Sequence, residues 1–320
     1  MSQPDVSVIV AAWQAADHVE RAIRSALASR GVAVEVIVVD DASPDSTFAC
    51  LKDIAADEPR LVVDRLPVNG GPSAARNRAI SLASGSFIAV LDADDAMEPD
   101  RLARLLKLAE QCGADIVVDN MKEVDVRGRP IHARGFLQSP AFAISRTIDL
   151  ETWIAFNQPM KGGDCLGYLK PLIRRATLDR NEARYDPALR NSEDYYLIAD
   201  LLARGAQMLY TPEAGYRYTR ATGSTSHRLK PDHTRAWIDA EARFVQRHAP
   251  SLSDNLRDAL ARRGRALRKV NQLVAVTDAL QARRIGELPA LLVSDLEATA
   301  YTLATFAKVA GDKLRRRLVS

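Results

Sequence analysis

Residues 34–47 read VEVIVVDDASPDST. The first six of these are almost all apolar and β-branched, which is typical of a strand buried on both faces of a parallel sheet. Two aspartates end the strand, and Ser43 or Asp45 can cap the helix that follows. The stretch therefore predicts a strand–helix unit with two carboxylates at the carboxyl end of the strand.

The same unit recurs on both sides of this stretch. Apolar strand patterns occur at 6–12, 61–66, 87–95 and 114–120, and helical spacing occurs at 17–29, 72–84 and 99–113. Strands that alternate with helices of this length form a Rossmann-like α/β fold, with a mostly parallel sheet flanked by helices. Ligands of such sheets bind outside the carboxyl ends of the strands. We therefore expect the functional residues at those ends.

The pattern changes after residue 120. Residues 121–190 show no regular periodicity, 192–203 form a predicted helix, and 208–220 read as a pair of edge strands. From residue 231 onward the spacing is helical. The formal charge changes as well, from −5 over 1–227 to +8 over 228–320. Two regions with different tasks are therefore predicted, the second a basic helical extension.

Composition excludes several classes of protein. The chain has 320 residues, of which 47% are hydrophobic, and a net charge of +3, which is too apolar and too weakly charged for a disordered chain. Its three cysteines lie far apart without a CxxC pair, so neither a disulfide framework nor a structural zinc site is expected. We find no cationic leader before an apolar segment and no apolar run of about 20 residues. These features favour a cytoplasmic protein.

The motif LDADD, residues 91–95, follows the most apolar strand. Three carboxylates in four residues repel one another, and a bound cation or ligand relieves that repulsion. Asp92 and Asp94 are two residues apart and share a face of an extended segment, which suits a divalent ion bound to phosphate oxygens. The alternative is an acidic turn in which Asp95 and Glu98 lead into the next helix.

Two further motifs are ambiguous in isolation. In VIVVDDASPDST, residues 36–47, an aspartate at the strand end can accept a hydrogen bond from a base or a ribose, or can simply form a turn. In NGGPSAARNRA, residues 69–79, a glycine-rich turn enters a helix that carries Arg76 and Arg78. This arrangement suits phosphate, or it is a loop followed by a solvated basic face. It matches neither the P-loop nor the dinucleotide fingerprint.

SEDYYL, residues 192–197, opens the predicted helix 192–203. It places Glu193 and Asp194 in the first turn, where acids complement the helix dipole. Successive side chains leave a helix about 100° apart, so the two acids should have different surroundings. The motif in isolation therefore predicts two partners of the helix dipole, with a catalytic carboxylate as the alternative.

These motifs occur together, in a fixed order and with the expected strand context. The segments are VSVIVAAW, VIVVDDASPDST, NGGPSAARNRAI, GSFIAVLDADD and SEDYYL, within residues 5–225. In this set the sequence resembles the family 2 glycosyltransferases, inverting enzymes of the GT-A fold that use nucleotide-diphospho-sugars. Within that family it is most similar to bacterial exopolysaccharide glucosyltransferases of the succinoglycan type.

The resemblance implies a role for individual residues. Ala11, Trp13, Asp41, Asn69, Arg76, Asp92, Asp94 and Asp95 fall at positions of the nucleotide-sugar site. Trp13 stands where a tyrosine is usual and keeps an aromatic platform for the base, while Asp41 matches the uracil-binding position. Asp94 matches the metal ligand, with Asp92 and His227 as further candidates. Asp194 matches the catalytic base.

The resemblance also implies an activity. A Mn²⁺- or Mg²⁺-dependent enzyme would move one sugar, first of all glucose from UDP-glucose, to a saccharide acceptor that is lipid-linked. The implied domains are a GT-A catalytic domain at 1–227, with a nucleotide-binding half at about 1–120 and an acceptor half at about 121–227, and the helical extension at 228–320. The QxxRW motif of processive enzymes is absent from the sequence, so a single transfer is expected.

Alternatives remain open at this stage. The chain could be a non-catalytic nucleotide-sugar-binding or scaffold protein on the same fold, or a sugar nucleotidyltransferase, although AAWQAADH at 11–18 lacks the glycine-rich loop of the latter. The basic extension either packs with a solvated charged face or contacts anionic lipid at the inner face of the cytoplasmic membrane. No nucleic-acid motif is present in the sequence.

Overall fold

Four parallel strands begin the sheet, in agreement with the apolar runs of the sequence. A computed structural model of the chain describes residues 3–220 and 229–319, with side chains as far as residue 308. The first half contains β1 (Val6–Ala12), α1 (Val19–Leu27), β2 (Val34–Asp40), α2 (Thr47–Ala56), β3 (Leu61–Arg65), α3 (Pro72–Leu82), β4 (Phe87–Val90), β5 (Ala96–Met97), α4 (Arg101–Cys112) and β6 (Ile116–Val124). The predicted α/β class is confirmed for this region.

The segment without regular periodicity contains short elements. These are β7 (Arg146–Thr147), α5 (Leu150–Ala155), β8 (Leu172–Arg174) and α6 (Arg175–Arg180). They are followed by α7 (Glu193–Ala203) and β9 (Met208–Thr219). The predicted pair of edge strands at 208–220 is therefore wrong, because β9 is a single strand that runs parallel to β6 with a bulge opposite Asp119 and Met121. The bulge interrupts the alternation, which is why the sequence resembles two strands.

The described strands form one nine-stranded sheet. Its order is β3-β2-β1-β4-β8-β6-β9-β5, and β7 pairs with β9. β1 to β4 are parallel to one another, whereas β8 is antiparallel to both of its neighbours. The chain order changes direction between β1 and β4, and in open α/β sheets such a switch point is where ligands bind. Trp13 and Asp92 follow these two strands.

The chain divides into two compact units. The first comprises Met1–Asn157 and Gly163–Ser224, and the second comprises Gln158–Gly162 and Thr225–Ser320. The second unit contains α8 (Pro231–His248), α9 (Asp254–Gln281), α10 (Leu288–Ser294) and α11 (Leu296–Val319), so the predicted helix at 288–316 is two helices. The predicted domain boundary at 227/228 lies outside the described residues. Within the described ranges, no helix combines the length and apolar character that crossing a bilayer requires.

Many basic side chains of the second unit are neutralised. Arg263 is buried and pairs with Glu241 at 3.2 Å, Arg268 pairs with Asp295 at 3.1 Å, and Lys269 pairs with Glu297 at 2.8 Å. The basic face of α9 is therefore less charged than a count of its lysines and arginines suggests.

Candidate active site

Trp13 stands at the open end of β1. Its side chain is 48% exposed, whereas the strand that leads to it is buried. The carbonyl of Ala12 accepts a hydrogen bond from the backbone N–H of Asp41 at 2.8 Å, so the ends of β1 and β2 lie side by side. Ala11, the other residue predicted from this strand, is partly exposed. The structure thus brings Ala11, Trp13 and Asp41 together at the carboxyl ends of β1 and β2.

Asp41 has a structural task that the sequence did not indicate. Its two carboxylate oxygens accept hydrogen bonds from the backbone N–H groups of Gly70 and Gly71, at 2.7 and 2.8 Å. Gly71 has φ +83°, a conformation that favours glycine. Each carboxylate oxygen has a second acceptor site, but the Asp41 residue is only 3% exposed. The carboxylate joins the end of β2 to the glycine turn before α3.

Asn69 lies in the same turn. Its side-chain amide donates to the carbonyl of Asp41 at 3.1 Å, and its side-chain oxygen accepts a hydrogen bond from Arg190 at 2.6 Å. Arg190 is exposed and belongs to the loop before α7, so it links that loop to the glycine turn before α3. Arg78, the second arginine of the NGGPSAARNRA motif, pairs instead with Asp64 at 2.5 Å.

Arg76 is buried at the centre of a cluster of carboxylates. Its guanidinium binds Asp92 at 2.8 Å and Glu193 at 2.5 Å, and lies 3.7 Å from the carboxylate of Asp194. Burial opposes its charge, but these acids outweigh that effect and raise the pKa of Arg76 well above its usual value. The arginine therefore remains charged and joins the LDADD segment to the start of α7.

Lys170 completes this cluster, and sequence analysis missed it. Its ammonium group lies 2.8 Å from Asp92 and 3.3 Å from Asp194, and the residue is 8% exposed. Burial disfavours ionisation of Asp92, yet the charges of Lys170 and Arg76 dominate and lower its pKa to about 2. Asp92 is consequently an ionised carboxylate that already holds two cations.

Asp94 has different surroundings from Asp92. Its side chain is partly exposed and makes no hydrogen bond or ion pair with the described residues, while Arg21 of α1 binds its backbone carbonyl. Burial, followed by the charge of Asp92, raises the pKa of Asp94. A cation at its carboxylate would relieve both effects. A partly exposed carboxylate whose backbone is held by Arg21, and which makes no ion pair with the described residues, fits a metal ligand.

Few other protein groups could bind that ion. Among the side chains of 3–220 and 229–308, no three His, Cys, Asp or Glu residues form a metal-binding group. Mg²⁺ is commonly held by one or two carboxylates together with substrate phosphates, and a single Asp94 is compatible with that mode. His227, the other candidate ligand, lies outside the described residues.

Asp95 is fully buried. Its carboxylate accepts hydrogen bonds from the Tyr216 hydroxyl at 2.7 Å and from the Thr219 backbone N–H at 2.7 Å. Burial, with the charges of Asp92 and Asp94, raises its pKa well above the usual value. Asp95 therefore fastens β9 to the LDADD segment. Its predicted contact with the donor sugar stays a prediction, since no surface of Asp95 is exposed in this structure.

Glu193 and Asp194 begin α7 and are both 7% exposed. Arg76 binds Glu193 at 2.5 Å and lies 3.7 Å from Asp194, so both acids approach the same guanidinium. Burial raises the pKa of Glu193, and Arg76 opposes that rise. Ser192, before the helix, has φ +61°, so the chain turns sharply as it enters α7. Both acids therefore face the cluster.

The family assignment comes from comparison with known proteins. Residues 7–176, more than half of the chain, match the model for "Glycosyl transferase family 2". The chain belongs to glycosyltransferase family 2. It is 40% identical over 284 residues to the "Succinoglycan biosynthesis protein ExoO" of Rhizobium meliloti, which covers 88% of this chain and 79% of that protein. It is also 40% identical over 218 residues to ExoU of the same organism, 66% of this chain and 61% of the relative.

Solved structures confirm the predicted GT-A fold of this family 2 glycosyltransferase. TarS 1–349 of S. aureus in complex with UDP-GlcNAc has a TM-score of 0.61 at 20% identity, over 86% of this chain and 87% of that one. The mannosyltransferase PcManGT of Pyrobaculum calidifontis, in complex with GDP-Man and Mn²⁺, has a TM-score of 0.59 at 18% identity, over 98% and 89%. The expected resemblance to succinoglycan-type enzymes is likewise confirmed.

Proposed function

We propose that this family 2 glycosyltransferase moves a single hexose from a UDP-sugar, first of all UDP-glucose, to a saccharide acceptor with inversion at the anomeric carbon. The observation that carries the proposal is the cluster around Lys170. One ammonium group contacts both Asp92 of the LDADD motif and Asp194 of α7. The predicted donor motif and the predicted base therefore share one buried cluster, as a transfer reaction requires.

We assign the donor nucleotide to the carboxyl ends of β1 and β2. Trp13 offers an exposed aromatic face for the base, and Asp41 keeps acceptor capacity for the uracil N–H. Asn69 and Arg76 lie in the following turn and helix. TarS and PcManGT were solved with UDP-GlcNAc and GDP-Man, which supports a nucleotide-sugar for this chain without fixing its base or sugar.

A divalent cation, Mn²⁺ or Mg²⁺, fits at Asp94. When bound, it supplies positive charge for the diphosphate that leaves. Asp92 is the weaker candidate ligand because Arg76 and Lys170 already occupy its oxygens. Those two cations hold Asp92 in place beside Asp94, which sets the position of the whole motif.

Asp194 is assigned as the general base. The acceptor hydroxyl attacks the anomeric carbon as the bond to the diphosphate oxygen breaks, and Asp194 takes the hydroxyl proton. Lys170 and Arg76 lie 3.3 and 3.7 Å from its carboxylate, and these contacts hold the group within the cluster. Because the attack comes from the face opposite the leaving group, the anomeric configuration inverts.

The pathway and location are inferred from relatives and from charge. ExoO and ExoU are named for succinoglycan biosynthesis, so we assign this chain to bacterial exopolysaccharide or cell-surface glycan synthesis, with a lipid-linked acceptor. Such an acceptor would place the enzyme in the cytoplasm, at the inner face of the membrane. Among the described residues, Arg262, Arg265 and Arg283 are exposed basic residues that could contact anionic lipid.

A donor screen tests this function. The full chain is incubated with UDP-glucose, UDP-galactose, UDP-GlcNAc and GDP-mannose, with and without Mn²⁺. The shift in melting temperature and the release of the nucleoside diphosphate are measured. We expect a metal-dependent shift and slow hydrolysis with one UDP-sugar. Binding of a UDP-sugar without turnover, even with acceptor glycosides present, would favour a non-catalytic binding protein. No binding of any nucleotide-sugar would refute the proposal.

A further inference from the structure

Three aromatic side chains from separate segments meet beside the carboxylate cluster. The ring centroids of Phe136 and Tyr168 are 5.6 Å apart, and those of Tyr168 and Tyr218 are 6.4 Å apart. Tyr168 is 43% exposed, and the other two are partly exposed. We call these three residues the aromatic patch. Rings that lie at the surface in this way are available to a ligand.

The aromatic patch borders the proposed catalytic residues. Tyr168 precedes Lys170 by two residues, so their Cα atoms are within about 7 Å of each other. Tyr218 precedes Thr219, whose backbone N–H binds Asp95. Burial raises the pKa of Tyr218, and the negative charge of Asp95 raises it further, which indicates that the phenol is close to the LDADD segment. The patch therefore adjoins the cluster that contains Asp92 and Asp194.

The chemistry of the patch is that of a saccharide site. Tyrosine presents an apolar ring face and a hydroxyl that can donate and accept hydrogen bonds. A pyranose has the matching surface, with C–H groups on its faces and hydroxyls at its edge. The hydroxyls of Tyr168 and Tyr218 make no hydrogen bond to another residue of the described chain, so their hydrogen-bonding capacity is available. A few polar groups at an aromatic surface are typical of small-molecule sites.

We infer that the aromatic patch binds a pyranose ring of the acceptor. The C–H face of the sugar lies on Tyr168, and the phenol hydroxyls bind its edge, so that the reacting hydroxyl is directed toward Asp194. This inference rests on the proposed function, because it takes Asp194 as the base. Tyr168 lies two residues before Lys170, whose ammonium group contacts the carboxylates of Asp92 and Asp194. Such surroundings suit a hydroxylated ligand better than an acyl chain or an apolar protein surface.

The test uses the full chain and three defined probes. Methyl β-glucopyranoside, methyl β-galactopyranoside and methyl N-acetyl-β-glucosaminide are each titrated at saturating UDP and Mn²⁺, and saturation-transfer NMR reports contact with aromatic protons. We expect at least one glycoside to receive saturation at its ring C–H protons. Tyr168→Ala should weaken its binding about tenfold, the usual value of a good aromatic contact. Tyr168→Phe, which keeps the ring, should retain most of it.

Two controls separate the possible failures. Tyr301→Ala removes a partly exposed tyrosine of α11 and should bind the glycoside as wild type does. Calorimetric titration of UDP should be unchanged in Tyr168→Ala, which also shows that this variant is folded. If UDP binds normally but no probe receives saturation, the inference about the aromatic patch is refuted. It is also refuted if UDP binds normally and Tyr168→Ala gives the same saturation as wild type. Neither outcome refutes the proposed function. No UDP binding by the wild-type chain overturns the proposed function and this inference with it.

Discussion

Replacing Asp194 with asparagine tests whether this residue acts as the general base or has only a structural role. The amide keeps the size of the side chain but cannot take a proton from the acceptor hydroxyl. A positioned base contributes about 10²-fold or more to the rate, which corresponds to about 2.7 kcal/mol of activation free energy. We therefore expect Asp194→Asn to reduce transfer at least about 10²-fold. Binding of UDP and metal should persist, since Trp13, Asp41 and Asp94 are unchanged.

The contacts of the cluster limit the cost in stability. Asp194→Asn removes ion pairs to Lys170 at 3.3 Å and to Arg76 at 3.7 Å. Neither cation is left alone, because Lys170 keeps Asp92 and Arg76 keeps Glu193. The loss should then be about 1–3 kcal/mol, that of a buried hydrogen bond, and below the roughly 3–5 kcal/mol of an orphaned buried charge. The variant should remain folded at the assay temperature.

The assay measures sugar transfer to an acceptor saccharide, because hydrolysis by water can use another base. Asp200→Asn is the matched control: it makes the same change on α7, about 9 Å along the helix axis, where the carboxylate pairs with Arg204 at 2.9 Å. It should retain near-normal transfer. Glu193→Gln should lose an intermediate amount, since it removes the closest partner of Arg76. Transfer by Asp194→Asn above about a tenth of wild type would refute the assignment.

Three further outcomes are expected. Asp94→Ala should abolish the Mn²⁺-dependent part of UDP binding in calorimetry. It should shift the free energy of unfolding by no more than about 1 kcal/mol, because the Asp94 carboxylate makes no ion pair with the described residues. Unchanged affinity for UDP and Mn²⁺ would remove Asp94 from the site. UDP should inhibit more strongly than CDP or ADP if Trp13 and Asp41 select the base, and equal inhibition would exclude uridine selection. The full chain should float with phosphatidylserine vesicles at low salt and detach as salt rises, whereas the absence of flotation at low salt would leave α9 a packing role only.

The sheet was largely predictable from the sequence, and the buried carboxylate cluster only in part. β1, β2 and β4 are buried on both faces, so their sequences are predominantly apolar and easily recognised. β9 contains Pro212 and Gly215, which resemble a turn, yet Gly215 lies within the strand, where an added side chain would meet Arg104, Arg101 and Asp119. Local pattern cannot reveal that the bulge is held by residues far away in the chain.

Lys170 and Glu193 show the limit most clearly. Lys170 is one of many basic residues in a segment without periodicity, and its partners Asp92 and Asp194 lie in other motifs. In the sequence, Glu193 is an ordinary acid at the start of a helix. In the structure it is buried and binds Arg76, which is 117 residues away. Such pairings are set by the topology of the sheet, which a single sequence does not contain.

The double attachment of Asp41 bears on how the donor preference of this enzyme can change. Any substitution of Asp41 made to accept a different base would also release the backbone of Gly70 and Gly71 and so reshape the loop that leads into α3. Trp13 has no comparable structural role, because it is half exposed and no described residue forms a hydrogen bond with its indole. Engineering, and natural divergence too, should therefore alter nucleotide choice through Trp13 while leaving Asp41 fixed.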